Sequence, residues 1–251
     1  MQNCYFPQPS QRQVPILTDD KLLKRLDNER ASADDIRHPY MQLGAVSGAS
    51  GSAYVEQGRT RVVCAVYGPR TDTRARREFS KDGQLVCDVK FAPFADKLTR
   101  RERGQDPDEM ELSAIVEEAL APAVMLHKLP KCVLSVFVTI LEDDGGALAA
   151  AINCTSLALA DAAVEMYDLV TASSASIVNG AVVLDPSREE ELRGDATMVL
   201  AYMPSMGRVT YMLQAGKIVH TQLQEAVDLC TDACRGVTRS LLTASLVQAL
   251  S

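Results

Sequence analysis

The sequence predicts an α+β fold in which mixed sheets pack against helices in layers. Three observations predict it. Two strand-like runs, Ser52–Glu56 and Thr60–Tyr67, flank a turn that contains Gly58. An apolar run over Cys132–Leu141 leads through Asp143, Asp144, Gly145 and Gly146 into an alanine-rich helical stretch, Ala147–Met166. Two further hairpins then precede a broad amphipathic stretch over Thr221–Leu250.

Residues 1–36 read as a polar N-terminal arm, with Pro7, Pro9 and Pro15, a loose first dozen residues and a short helix over Asp19–Asp27. Residues 37–251 read as one domain, and His38–Gly44 reads as the lead into Gly51. Gly58 allows the tight turn between the first two strands, and Gly68-Pro69 is expected to end the second. Leu85–Phe91 alternates and reads as a third strand. Ile115, Val116, Ala119, Leu120, Val124 and Met125 recur at helical spacing, and Pro122 should bend or end that helix early. Asn179-Gly180 turns the hairpin of Leu169–Val178 with Ala181–Leu184. A short acidic helix or loop follows over Asp185–Leu192, and Ser205–Gly207 turns the hairpin of Thr197–Met203 with Arg208–Ala215.

Composition narrows the function classes. At 47% hydrophobic and 24% charged, a chain of 251 residues has enough apolar surface for an ordinary core. The net charge of −7 argues against a free-standing nucleic-acid binder, although it leaves room for a local basic patch. The seven cysteines are scattered, form no CxxC pair, and read mostly as buried apolar side chains in a reducing compartment. Cys230 and Cys234 stand four apart with no histidine near, which does not make a zinc site. No apolar window has the length of a membrane span, and no secretory leader is read at the N-terminus.

The stretch from Leu141 to Asp168 carries the chemistry. A strand, a glycine turn and a helix start bring backbone N–H groups and a positive helix end to one spot, which suits an anion. The residues that follow are Ala147, Leu148 and Ala149, so no cation completes it. Asp143 and Asp144 resemble a metal pair, but the plainer reading is that one of them caps the turn. No metal or cofactor is expected.

GSAYVEQGRTRVVCAVYGPR at Gly51–Arg70, CDVKFAPFA at Cys87–Ala95 and DGG at Asp144–Gly146 stand in the order and spacing of the RNase PH family, which the chain resembles. RHPYMQLG at Arg37–Gly44 and ALADAAVEMYDLV at Ala158–Val170 are similar to the Mtr3-type branch of eukaryotic RNA exosome ring subunits. The resemblance implies the RNase PH fold, of the ribosomal protein S5 domain 2-like class. It also implies a hetero-hexameric ring with other RNase PH-like subunits, S1/KH-type cap subunits above and a hydrolytic ribonuclease docked below. RNA would thread the channel, in the nucleus, the nucleolus and the cytoplasm.

Active relatives cut RNA from its 3′ end with inorganic phosphate. Two anions must then be held together by cations while carboxylates, with a divalent metal, assist the leaving oxygen. The resemblance places the phosphate-gripping Gly-Ser/Thr-Arg triplet on Gly146, Ala147 and Leu148, next to Gly145. A second phosphate-holding arginine falls on Pro107 and Asp108, and the paired catalytic aspartates fall on Glu191 and Thr197. A slip of register by a residue or two makes Asp195 the alternative to Thr197. Each lost preorganised group costs on the order of 100- to 1000-fold in rate. At least three are missing, so the expectation is an inactive pseudoenzyme with no catalytic residues.

Two charged loops are candidate RNA contacts: Arg70, Arg74, Arg76 and Arg77 after the second strand, and Lys97, Arg100, Arg101 and Arg103 further on. Both also carry acids, so a solvated loop is the bland alternative for each. Glu189–Glu191 reads as a helix start favoured by its own dipole, and His38, His127 and His220 have no catalytic partner in sequence. The reading is thus a non-catalytic ring subunit supporting 3′-to-5′ RNA processing and degradation. Its rivals are an active phosphorolytic exoribonuclease and a free-standing RNA-binding module.

Overall fold

A computed structural model describes residues 33–71, 82–95, 107–239 and 242–243. Among the described residues, nine strands form two sheets. The first has the order β1-β2-β3-β5-β4, from Pro39–Leu43, Gly51–Gln57, Thr60–Thr71, Gln84–Phe91 (β4) and Cys132–Glu142 (β5). All of its pairs are antiparallel except β4 with β5, which are parallel and joined through helix α1, Pro107–Leu120. The second sheet is antiparallel, in the order β7-β6-β8-β9, from Thr171–Val178 (β6), Ala181–Leu184 (β7), Ala196–Met203 (β8) and Arg208–Gly216 (β9).

Helix α2, Ala147–Asp161, lies between the sheets. It packs on β2 and β3 on one side and on β6 and β8 on the other. Every residue from Ala147 to Leu159 is buried. A helix covered on all sides has no polar stripe, which explains a run of alanines broken only by Ile, Leu, Cys and small polar residues. Its few polar groups are bonded: Asn153 donates to the Ala172 carbonyl at 2.9 Å and accepts from the Ala172 amide at 2.7 Å. Helix α4, His220–Ala233, covers the outer face of the second sheet. The layers run sheet, helices, sheet, helix.

The hairpins and β4 stand where the sequence places them, and α1 stops two residues before Pro122. Four readings are corrected. Residues 39–43 form a strand pairing with β2, whereas the sequence reads only a connection there. β3 does not end at Gly68-Pro69. It runs on to Thr71 across a register shift between Tyr67 and Arg70, where the Gly68-Pro69 bond is cis. α2 stops at Asp161 rather than Met166: the Asp161 carboxylate accepts from the Ser52 amide at 2.8 Å, and a Cβ on Gly51 would stand 2.2 Å from the Ala162 nitrogen, so β2 presses against the end of the helix. The terminal stretch is not one uniform α-helix, because Cys234–Thr238 winds as a π-helical turn after α4. The Asp19–Asp27 helix lies outside the described residues, as do Leu241, Leu246 and Leu250.

Cys64, Cys87 and Cys154 are buried as read, Cys132 at the start of β5 is only half-buried against the same reading, and Cys230 and Cys234 on the apolar face of the terminal stretch are buried too. Burial pushes the Cys64, Cys230 and Cys234 thiols up to about 12. They stay protonated and act as small apolar groups. Leu157 is fully buried in the core that spans both sheets. Leu157→Ala is expected to cost about 2–5 kcal/mol of stability, read from the shift in the urea unfolding midpoint.

Candidate anion site at the start of α2

β5 delivers the chain to Asp143, and the two glycines reverse it into α2. Gly145 and Gly146 have φ of 92° and 66°, in the left-handed region that favours glycine. A Cβ on Gly145 would lie 2.4 Å from the Pro186 oxygen, so the connection after β7 presses directly on the turn.

The chain's own groups satisfy the turn. The Gly145 amide donates to Asp143 Oδ1 at 3.1 Å, so Asp143 does cap it. The Asp144 amide donates to Thr60 Oγ1 at 3.1 Å, and that hydroxyl donates to the Gly145 carbonyl at 2.8 Å. The Gly146 amide donates to Glu191 Oε1 at 2.8 Å. Gly145, Gly146 and the whole first turn of α2 are buried, with Ala147, Leu148 and Ala149 at most 4% exposed. The helix start that the sequence offers to an anion is therefore closed, and a carboxylate of this chain takes the amide at its N-cap.

Glu191 reaches the turn from helix α3, Arg188–Arg193. The three glutamates do lie in the first turn of that helix, and Glu190 accepts from the Ser187 amide at 2.9 Å. Glu191 does more than favour a dipole: it bridges α3 to α2. Arg188 stands 3.7 Å from Asp143 Oδ2 and 3.6 Å from Glu191 Oε2. Burial, reinforced by the charge of Asp143, pushes the Glu191 carboxyl up to about 7, although the Gly146 amide, Arg188 and Arg37 pull the other way.

Arg37 is the residue that sequence reasoning missed. Its guanidinium grips Asp185 in bidentate fashion, Nε to Oδ2 at 2.9 Å and Nη2 to Oδ1 at 2.5 Å. It also donates to the carbonyls of Asp144 at 3.1 Å and Gly145 at 3.2 Å. Its backbone amide adds a further bond to Asp185 Oδ2 at 2.9 Å. Burial opposes its charge, but the bonds and charge of Asp185 prevail and hold its pKa above the usual value. No local signal marks this pair, because its partners stand 148 residues apart. Around the turn, Asp143, Asp144, Asp185 and Glu191 outnumber Arg37 and Arg188. The corner is acidic, which disfavours phosphate.

The other expected positions among the described residues lie on α1, at β8 and on β3. Asp108 lies half-buried in the first turn of α1, where an acid suits the helix dipole. The α1 start is tied to the end of β4, since the Phe91 amide donates to Glu109 Oε1 at 3.0 Å. Thr197 sits within β8, paired with Ser176 and Ala215, and Asp195 before it is exposed. Arg70 is exposed, with its guanidinium 5.3 Å from the Tyr67 ring centre. Arg74, Arg76, Arg77, Lys97, Arg100, Arg101 and Arg103 lie outside the described residues.

The 3′ exoribonuclease family matches with its domain 1 over residues 35–165 and its domain 2 over residues 168–233. The chain belongs to this RNase PH family. It is 40% identical over 229 residues to the human exosome complex component MTR3, covering 85% of this chain and 84% of that one. It is 40% identical over 197 residues to the RRP41-like exosome component of Arabidopsis thaliana, covering 78% and 75%. Identity to the exosome component Rrp41 of Methanopyrus kandleri is 37% over 227 residues, covering 90% and 92%. Among solved structures, rice Rrp46 superposes with a TM-score of 0.76 at 21% identity, covering 88% of this chain and 99% of that one. The Archaeoglobus fulgidus exosome with RNA bound to its active site gives 0.75 at 24%, covering 88% and 96%. The RNase PH fold is thereby established, as the motif order implies.

Two outcomes follow from the corner's geometry. Arg37→Ala removes the guanidinium that balances the buried Asp185 carboxylate and is expected to cost about 3–5 kcal/mol in urea unfolding. For Glu191, the folded state keeps a proton between about pH 4.5, its ordinary value, and about pH 7 that the unfolded state releases. Stability therefore falls as pH rises through that window. Unfolding midpoints at intervals from pH 4.5 to 8 are expected to show wild type losing ground against Glu191→Gln across it, with no further change above it.

Proposed function

We propose that this chain is a non-catalytic structural subunit of an RNA exosome core ring. One observation carries the reading: the N-cap amide of α2 is bonded to Glu191, and the helix start behind it is buried and apolar. An attacking phosphate would need that start open and a cation beside it. Here Ala147 and Leu148 follow the turn, and the two arginines beside it are engaged by carboxylates of this chain, Arg37 by Asp185 and Arg188 by Asp143 and Glu191. The likeness to proteins named as exosome components supports the ring setting.

In this reading the neighbours are other RNase PH-like subunits, with S1/KH-type caps and a hydrolytic ribonuclease attached. The domain over residues 37–251 builds the ring, and residues 1–36 form an arm. Arg70, exposed at the end of β3, leads into the arginine-bearing loop that we assign to the RNA channel together with Lys97–Arg103. The protein would work in the nucleus, the nucleolus and the cytoplasm.

The test is phosphorolysis by the purified ring on end-labelled RNA. Release of nucleoside diphosphates is expected to be unchanged by Glu191→Gln or Asp195→Asn in this chain. Phosphate-dependent release that either substitution abolishes would establish the active exoribonuclease instead.

A further inference from the structure

Two sheets have four edges, and three of them are blunted. β1 is five residues long and β7 four. β7 is also tied to the segment before β1, since the Leu184 amide donates to the Ala33 carbonyl at 2.9 Å. β4 is longer, but α1 caps it: the Val89 amide donates to Ser113 Oγ at 2.8 Å and the Phe91 amide to Glu109 Oε1 at 3.0 Å. Short edges and capped amides are how folds keep other strands away.

β9 has neither protection. It runs nine residues, Arg208–Gly216, with no proline or lysine, and among the described residues no group outside its own sheet bonds its backbone. Its register shift falls opposite Ala201/Tyr202, so residues 211–216 pair without interruption. The edge is also apolar. Val209 pairs with Tyr202 and Met212 with Leu200, and Leu200 faces the core beneath α4. Val209 and Met212 therefore share that face, but α4 packs on β6, β7 and β8, and both side chains stay about half exposed, at 49% and 48%. On this face the sheet extends one strand past α4, while α1 packs against β9 from the other face.

The end of this shelf is basic. Arg208 opens β9 and is exposed, as are Arg235 and Arg239 in the helical stretch that follows α4. Arg235 Nε donates to Tyr202 Oη at 2.8 Å, and Arg239 Nη2 to Ser205 Oγ at 3.2 Å, which holds both beside the turn between β8 and β9. Asp168 is close by, with Oδ2 accepting from the Ser205 amide at 2.6 Å. The local balance is thus positive on a chain of net charge −7.

We propose that β9 accepts an extended segment of a neighbouring protein chain as a fifth strand of the second sheet. An edge that no described group outside the sheet bonds selects a strand, Val209 and Met212 select apolar side chains on one face of it, and Arg208, Arg235 and Arg239 select acidic residues near one end. Paired apolar and arginine groups fit a protein segment better than RNA, which would use a continuous basic track. The inference rests on the ring reading above for the identity of the neighbour, an RNase PH-like chain.

Hydrogen–deuterium exchange of the full chain, alone and in the complex purified with its RNase PH-like neighbours, tests this. Amides of residues 211–216 are expected to slow at least about tenfold on assembly. The doubly substituted chain, Val209→Lys with Met212→Lys, is expected to lose that protection and to bind its neighbour at least about tenfold more weakly, with an unchanged melting temperature. Val86→Lys, on the outer face of the other sheet, is expected to leave both intact. An assembled ring in which residues 211–216 exchange as in the free chain overturns the proposal and leaves the ring reading standing. Protection in a homodimer of the free chain, or by single-stranded RNA alone, overturns it as well. Failure of the wild-type chain to join any RNase PH-like protein overturns the ring reading and this inference with it.

Discussion

Everything at the centre of this fold answers to one constraint: α2 is covered by a sheet on each side. A helix so placed must be apolar around its circumference and narrow enough for two sheets to approach, which alanine provides. Its first amides and their flanking turn have no water to bond, so protein groups must serve them. Thr60 comes from β3, Asp143 from the end of β5, Glu191 from α3 and Arg37 from the segment before β1. Elements as far apart in the chain as Arg37 and Glu191 meet at one turn because that turn is buried.

The corner therefore works first as a joint. Arg37 and Asp185 fasten the β7–α3 connection to the glycine turn, and Glu191 fastens α3 to α2. A joint closed in this way gains rigidity from the same amide and carboxylate that an open anion site would leave to solvent. The family fold is kept with this corner closed by the chain's own groups, and the proposed structural role rests on that closure.

Local chemistry was legible in the sequence. The Asn179-Gly180 turn, the stop of α1 before Pro122 and the cap by Asp143 each depend on residues a few positions apart, and each appears as read. Long-range chemistry was not. Nothing near Ala162 breaks a helix; α2 ends there because β2 and the Asp161–Ser52 bond meet it from 109 residues away. The run through Gly68-Pro69 reads as a terminator, yet pairing with β5 carries the strand past it. Glu191 was found by its alignment with a catalytic acid, but its bond to Gly146 needed the two helices in space. Arg37 was marked only as the first residue of a family-like motif, because an arginine between Ile36 and His38 shows nothing of a carboxylate 148 positions later.

That separation sets a timetable for the nascent chain. A ribosome adds about 5–20 residues per second, so Arg37 leaves the exit tunnel on the order of ten seconds before Asp185. During that interval the guanidinium has no carboxylate, and the glycine turn, synthesised late in it, lacks its clasp. The first sheet can assemble on its own strands meanwhile, but the central helix cannot be sealed at its leading end until the second half arrives. Vectorial synthesis thus makes the closure of this corner one of the last acts of folding, and it leaves an early protein with an apolar helix bare on one side to whatever holds nascent chains in the cell.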